Sequence, residues 1–402
     1  MKSDFEVVSA LIEKSENEMV GLLSEMIAIR AISPKSGGEG EDRRAQFLQE
    51  KLVGWGFDAK RYEYIDDTSI KRASVVVKHG GQKRTLWIVP HIDTVSEGDR
   101  KLWNTDPFKA HIEGGRIYGR GTSDNGQSVV GSMFALRLLK ESGARPRYNV
   151  GLVLAADEEV GSKWGMQKLM QENIFSKDDL FLVPDSGNTK GDVIEVGEKG
   201  LLWLRITVKG QQVHASTPAK GKNAFRYSVR FLAAVDEHLH NKYTRTNELF
   251  HPHYSTFEMT KHEKNVDSIN IIPGVDVSYI DSRVLPDYSL DEVIADVKSI
   301  ASREEFRDVG IEIEPVNRED AAPVTSPDSE IVKLLSGVLK ELRGIEPKTH
   351  GVGGGTCAAF PRKAGMQAAV WETVNDTEHR PNEYIEIKNM VDDAKVFARL
   401  YL

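Results

Sequence analysis

The 402-residue sequence contains a single cysteine, Cys357, which excludes an internal disulfide. It also lacks a run of eighteen apolar residues, and its first residues do not combine a basic segment with an apolar one. We therefore expect neither a membrane span nor a secretion signal. Low-complexity tracts and fixed-period repeats are missing too. The lack of a disulfide suits a reducing compartment, and with no expected membrane span or secretion signal we expect a cytoplasmic protein.

An excess of positive charge is likewise absent. The formal net charge is −8, which argues against a nucleic-acid partner or an anionic membrane surface. Hydrophobic residues at 40% and charged residues at 28% are typical of a soluble globular protein. A chain of this length can form two domains with separate cores.

A histidine and an aspartate follow a short apolar run at Leu86–Pro90, which predicts a buried strand of an α/β sheet. His91 and Asp93 are two positions apart, so in an extended chain their side chains point the same way. A carboxylate in that place can hold a neighbouring metal-bound imidazole in one tautomer. Taken alone, the pattern also fits a strand-end histidine that is hydrogen-bonded to an acid.

Three further segments present carboxylates where a strand or a turn ends. Asp124 lies in the glycine-rich segment 119–126, the acids 157–159 follow the predicted strand 149–156, and Asp185 follows the apolar run 180–183. Ligands bind at the carboxyl ends of strands in open α/β sheets, so we expect these side chains to converge. The alternatives are ordinary turn residues and a solvated acidic loop before a helix.

Strands and helices alternate in residues 1–196 and again in residues 317–402, which predicts a sheet with helices on both faces, completed by both ends of the chain. Residues 197–316 instead follow the order β-α-β-β-α-β of a ferredoxin-like sandwich. We therefore predict an inserted lid domain between two parts of a catalytic domain.

Taken together, these motifs resemble the dinuclear zinc amidohydrolase and exopeptidase family that contains succinyl-diaminopimelate desuccinylase, acetylornithine deacetylase, aminoacylase and the glutamate carboxypeptidases. The resemblance covers nearly the whole chain and implies a zinc-exopeptidase-like mixed sheet with a lid that also forms a dimer. It rests on His91-x-Asp93, Tyr118–Asp124, Asp157-Glu158-Glu159-x-Gly161-Ser162, Asp185, the His214 loop, Ser268-x-Asn270, Asp281-x-Arg283, Gly353–Thr356 and His379-x-x-Asn382-Glu383.

The resemblance implies two zinc ions per chain, with cobalt or manganese as possible substitutes. The implied ligands are His91, Asp124 and Asp185 for one ion and Asp124, Glu159 and His379 for the other. It also implies a cis peptide bond between Asp124 and Asn125.

Other residues receive roles from the same resemblance. Asp93 would orient His91, and Glu158 would be the general base that takes a proton from a zinc-activated water. His214 would act in the active site of the neighbouring subunit of a homodimer. The substrate-binding residues would be Arg283, as a clamp for a substrate carboxylate, with Asn270 and Gly354.

The expected activity is hydrolysis of the amide bond of an N-acyl amino acid, a small molecule with a free carboxylate. A dipeptidase or carboxypeptidase needs the same groups, so the motifs do not separate these activities. A non-catalytic relative that binds a metal or ligand as a dimer is an alternative from another class. A thiol hydrolase built on Cys357 with His350 or His379 lacks an obvious activating base.

Two other patterns receive structural interpretations. The glycine run 351–355 lacks the lysine and the spacing of a phosphate-binding loop, so we reject a nucleotide site. His251 and His253 are interpreted as lid surface and not as a metal pair.

Overall fold

The computed structural model describes residues 3–402, which contain ten α-helices and seventeen β-strands. In chain order, helices α1 to α10 are Asp4–Lys14, Glu16–Ala28, Asp42–Gly54, Gln127–Ser142, Met166–Leu169, Ala224–Lys242, Leu290–Ala301, Glu330–Arg343, Ala359–Lys363 and Ile387–Tyr401. Strands β1 to β17 are Ala59–Ile65, Lys71–His79, Thr85–Ile88, His111–Glu113, Arg116–Tyr118, Asn149–Leu154, Leu180–Asn188, Val193–Glu198, Gly200–Lys209, Val213–His214, Thr256–His262, Ile271–Ile272, Val275–Val284, Gly310–Glu319, Lys348–Val352, Gln367–Thr373 and Tyr384–Glu386.

The described chain divides into two compact units. The first unit contains the residues up to Val196 together with Val324–His350 and Thr356–Leu402, and the second contains Gly197–Pro323 and Gly351–Gly355. The first unit is therefore built from three separate segments of the sequence.

The first unit is organised around an eight-stranded mixed sheet in the order β1-β2-β6-β3-β7-β16-β8-β15. Strands β6, β3, β7 and β16 run parallel to one another in the middle of the sheet, whereas the pairs β1–β2, β2–β6 and β16–β8 are antiparallel. This is the mixed sheet that the resemblance implied. The parallel strands at its centre bring their carboxyl ends to one edge.

Burial explains why the central strands form. All four residues of β3 and all six of β6 are buried, as expected for strands covered on both faces. Helix α10 packs against α4 and β16, and its buried residues recur at helical spacing, as at Met390, Ala394 and Phe397. The predicted strand 86–90 ends two residues early, because Pro90 has no amide hydrogen for the ladder.

The second unit contains a four-stranded antiparallel sheet in the order β11-β13-β9-β14. With helices α6 and α7 between the strands, the chain follows the ferredoxin-like order, as predicted. Strand β9 alternates buried residues such as Leu202 and Leu204 with the exposed Trp203. The buried residues form one core with Phe231 of α6 and Val297 of α7.

The boundary of the second unit differs from the predicted residue 316. Strand β14 continues to Glu319, which pairs with Leu201, so the unit extends to Pro323. The glycine run also belongs to this unit, because the amide of Lys199 donates to the carbonyl of Val352 and that of Gly351 to the carbonyl of Leu249. Both contacts join residues distant in sequence, which strand patterns do not predict. Within residues 3–402, no helix is both long and apolar enough to cross a membrane.

Candidate metal centre

Three neighbouring strands of the first unit bring the predicted donors to one edge of the sheet. His91 follows β3 and forms a parallel bridge with Ala155, next to the end of β6. The acids 157–159 follow β6 after two alanines. Asp185 differs from the prediction in one respect: it lies within β7, which continues to Asn188, and not at the end of the strand.

The loop that carries Asp124 is fixed by a buried carboxylate. The carboxylate of Glu383 accepts hydrogen bonds from the backbone amides of Gly121, Ser123 and Asp124, and it pairs with Arg120 at 2.6 Å. Gly121 has φ +82°, and a Cβ there would lie 2.7 Å from a methyl group of Thr94, so glycine is required. The peptide bond between Asp124 and Asn125 is cis, as the resemblance implied.

Asp124 lies between the two histidines of the site. Its Oδ1 atom lies 2.6 Å from Nε2 of His91, and its Oδ2 atom lies 3.0 Å from Nε2 of His379. One carboxylate therefore faces both imidazoles with different oxygens, which is the geometry of a bridging ligand.

The donors form two groups around this carboxylate. The ligand atoms of His91, Glu158 and Asp185 lie within 4.8 Å of one another, and so do those of Asp124, Glu159 and His379. In the first group, Nε2 of His91 lies 3.2 Å from Oδ1 of Asp185. In the second, Nε2 of His379 lies 3.1 Å from Oε2 of Glu159, whose other oxygen accepts the amide of Val95.

The electrostatics of the site indicate a strong attraction for positive charge. Burial and the charge of Asp185 raise the pKa of Glu158, and burial and the charge of Asp124 raise that of Glu159 to about 7. Hydrogen bonds to Asp124 and Glu159 raise the pKa of His379 to about 10. Four carboxylates held this close repel one another unless cations lie between them.

The donor set fits divalent cations. Two imidazole nitrogens and four carboxylates are the kinds of ligand that zinc and related metals use, and Asp124 of the second group lies beside His91 of the first. These residues are able to hold a pair of metal ions, and no residue outside the first unit is needed to complete either group.

Asp93 contacts more than the histidine that it was predicted to orient. Nδ1 of His91 lies 3.1 Å from the backbone carbonyl of Asp93 and 3.6 Å from its carboxylate. The carboxylate accepts the backbone amides of Glu158 at 3.0 Å and Glu159 at 3.3 Å. Asp93 therefore also holds the turn that carries both glutamates.

The remaining candidates lie in the second unit and form two pairs. His214 is on β10, which pairs with β12, and β12 begins directly after Asn270. The backbone carbonyl of Asn270 accepts a hydrogen bond from the amide of Ala215. Arg283 donates to the carbonyl of Gly353, next to Gly354. Asp281 accepts two further hydrogen bonds from Arg283, which leaves part of the guanidinium for a ligand.

The cysteine is not suited to nucleophilic catalysis. Cys357 is buried, and burial together with the charge of Glu158 raises the pKa of its thiol well above the usual value. The hydrogen-bond partner that the described residues offer its Sγ atom is the hydroxyl of Ser162 at 3.4 Å, and not an imidazole base.

Two residues that shape the site received no role from the sequence. Glu383 belongs to the motif His379-x-x-Asn382-Glu383, but its hydrogen bonds to the loop of Asp124 join residues about 260 positions apart in the sequence. Arg72 lies on β2, which begins at Lys71, whereas the strand predicted from the sequence begins only at Ser74 and leaves Arg72 outside. A charged residue beside a run of buried strand positions was the only available signal.

Comparisons with known proteins agree with this geometry. A protein family described as Peptidase family M20/M25/M40 matches residues 87–402. An uncharacterized metallohydrolase of Methanocaldococcus jannaschii is 37% identical over 95% of this chain and 98% of its own length. A succinyl-diaminopimelate desuccinylase of Alkalilimnicola ehrlichii is 27% identical over 96% of this chain and 97% of its own. The crystal structure of human carnosine dipeptidase 1 shares the fold, with a TM-score of 0.79, 18% identity and coverage of 100% of this chain and 98% of that one.

Proposed function

Since the chain belongs to the peptidase family M20/M25/M40 and is a metallohydrolase, we propose that it hydrolyses the amide bond of an N-acyl amino acid. The observation that carries this proposal is the pair of donor groups that meet where Asp124 lies beside His91. One of these groups contains Glu158, which forms no ion pair with a lysine or arginine among the described residues. The similarity to a succinyl-diaminopimelate desuccinylase over nearly the whole chain supports this substrate class.

The proposed metal ligands combine the two donor groups with the contact between Asp124 and His91, and they leave Glu158 free for catalysis. We propose that His91, Asp124 and Asp185 hold one zinc ion and that Asp124, Glu159 and His379 hold the second. Bound there, the two cations would polarise the scissile carbonyl and lower the pKa of a water molecule toward neutrality.

Glu158 has the environment of a general acid and base. Burial and the charge of Asp185 raise its pKa, which makes the carboxylate a stronger base toward the proton of the attacking water. The carboxyl group then returns this proton to the leaving nitrogen when the C–N bond breaks. Asp93 keeps the glutamate in place through its backbone amide.

Substrate binding would involve the second unit. We propose that the free donors of Arg283 bind the carboxylate of the substrate and that Asn270 and Gly354 complete the substrate pocket. Arg283 is held in a fixed orientation by Asp281 and Gly353, which reduces the conformational entropy lost on binding.

A dipeptidase is the second candidate, because the fold is shared with human carnosine dipeptidase 1. A dipeptide offers the same two features, an amide bond and a carboxylate. The distinction lies in what precedes the scissile carbonyl: an acyl chain in one case and an amino acid in the other.

The proposed function is tested by the hydrolysis of matched substrates. Purified protein is incubated with N-succinyl and N-acetyl amino acids and with dipeptides of the same carboxyl-terminal residue. We expect turnover of an N-acyl substrate, its loss after chelation and its return on addition of zinc or cobalt. Preferred cleavage of dipeptides would favour the second candidate, and turnover unaffected by chelation would contradict a metal-dependent reaction.

His214 is proposed to act in the active site of the partner in a homodimer. The variants His214→Ala and Glu158→Gln are each expected to be inactive, and mixing them should restore activity. Random exchange of subunits gives mixed dimers with one complete site, so about a quarter of the wild-type kcat is expected.

The control for this experiment is a mixture of the Glu158→Gln and Glu159→Gln proteins. Both substitutions affect the metal centre of their own subunit, so a mixed dimer has no complete site and should stay inactive. Sedimentation of the wild-type protein establishes the number of subunits. A monomer, or a mixture with no recovered activity, would show that His214 does not act across an interface.

A further inference from the structure

Arg72 lies at the centre of a buried charge network behind the metal centre. Its side chain is 2% exposed. The Nη2 atom lies 2.8 Å from Glu41 and 3.8 Å from Asp93, while Nη1 hydrogen-bonds to Asp157 and lies 3.7 Å from Asp66. One guanidinium therefore faces four carboxylates, all in the first unit.

The pairing with Glu41 fixes the orientation of this guanidinium. Glu41 is fully buried and accepts hydrogen bonds from Nε and Nη2 of Arg72 through both of its oxygens. The amide of Ala73 donates to the same carboxylate. A bidentate pair of this kind holds the planar fork in one position, so the Nη1 side is aimed at Asp157.

Two of the acids that Arg72 contacts control the turn of the catalytic glutamates. Asp157 precedes Glu158 and has φ 65°, and its carboxylate also accepts the amide of Trp164 at 2.8 Å. Asp93 accepts the amides of Glu158 and Glu159. The guanidinium of Arg72 thus connects Asp157, at the start of the turn, to Asp93, which accepts hydrogen bonds from the backbone of the turn.

These contacts are needed because the acids would otherwise repel one another. Asp93 and Asp157 are both buried, and neither has another arginine or lysine among the ion pairs of the described residues. An uncompensated charge in such a place is costly, so loss of Arg72 would favour displacement of these two acids and of the turn whose amides they accept.

We propose that Arg72 is a positioning residue: anchored by Glu41, it fixes Asp93 and Asp157 and thereby holds Glu158 and Glu159 in the arrangement needed for catalysis and metal binding. The inference rests on the proposed function for the role of Glu158. Its consequence for the backbone of the turn does not depend on which substrate is used.

The test compares three single variants. Arg72→Met removes the charge, Arg72→Lys keeps the charge but loses the fork, and Arg362→Met is the matched control. Arg362 is equally buried and pairs with Glu195 at 3.3 Å, but its Nε donates to Ala368, whose strand partner is Phe181 near the start of β7. The control therefore removes a buried arginine far along the strand from the donors.

Three measurements are made on each protein: kcat and KM, the affinity for Co²⁺ by calorimetry, and hydrogen exchange of a peptide covering residues 157–164. For Arg72→Met we expect kcat and metal affinity each to fall about 10- to 100-fold with KM within about twofold, and faster exchange in the turn. Arg72→Lys should recover part of each loss. The Arg362→Met control should lower thermal stability but should leave kcat, the affinity for Co²⁺ and hydrogen exchange in the turn unchanged.

The outcomes distinguish this inference from the proposed function. Unchanged kcat, metal affinity and exchange in a folded Arg72→Met protein would overturn it. If that variant does not fold, an Arg72→Lys protein with wild-type exchange and metal affinity would overturn it equally. If the wild-type protein hydrolyses none of the substrates, the proposed function fails, while exchange in the turn still decides the role of Arg72.

Discussion

Replacing Glu158 with glutamine is expected to lower kcat by about 100- to 10,000-fold and to leave metal binding intact. The glutamine has the same size and reaches the same place, but it is unable to accept the proton of the attacking water or to return one to the leaving nitrogen. Steady-state kinetics on the best substrate of the panel measure the loss, and calorimetry with Co²⁺ gives the number of bound ions.

The matched variant is Glu159→Gln, one residue further along the same turn. Glu159 contacts His379 and is a proposed ligand, so this variant should lose affinity for one of the two ions. Glu158 also lies within ligand distance of His91 and Asp185, which makes the comparison informative. If Glu158→Gln weakens metal binding as much as Glu159→Gln does, Glu158 is a ligand and the assignment of the base is wrong.

The variant Asp124→Asn is expected to have the broadest effect, because its carboxylate faces both histidines. The neutral amide offers one weak oxygen donor where the native residue offers two charged ones. We expect the affinity for both ions to fall. The loss of a residue that only hydrogen-bonds to a metal ligand costs up to about 100-fold in affinity, and we expect a larger loss here. Activity at a fixed low metal concentration should fall to background.

His379→Ala serves as the comparison for Asp124→Asn. His379 contributes to only one donor group, so one ion should still bind with near-native affinity. Calorimetric titration of both variants provides the test. If Asp124→Asn retains one tight site, as His379→Ala does, Asp124 does not bridge the two ions.

The convergence of His91, the acids 157–159 and Asp185 on one edge could be predicted from the sequence, because neighbouring parallel strands end at the same edge of a sheet. Apolar runs that precede His91 and Asp185 predict neighbouring strands, and parallel neighbours bring their carboxyl ends to one edge. The acids 157–159 follow from the same rule. The second histidine, His379, came only from the resemblance, since no strand pattern places it near the others.

The surroundings of the donors were harder to predict. Glu383 and Arg72 act through hydrogen bonds between residues that are distant in the sequence, and neither periodicity nor spacing reports such contacts. The end of the second unit was missed for a similar reason: β14 continues past a proline, Pro315, where the register with β9 shifts. Proline within a strand pattern usually indicates an edge or an end, and β14 is indeed at the edge of its sheet.

The three-part construction of the first unit also bears on how the protein is made. His379 contacts Glu159 across 220 residues of sequence, and β17, which carries the chain away from Glu383, pairs with β5 near the start of the Asp124 loop. A ribosome releases the segments in order, so a nascent chain that has completed the second unit still lacks one imidazole and the carboxylate that holds the Asp124 loop. On the proposed ligand assignment, tight binding of the second ion would come only at the end of synthesis, when the last segment joins the sheet begun by the first. A chain cut short before Thr377 would lack His379 and therefore one of the two donor groups.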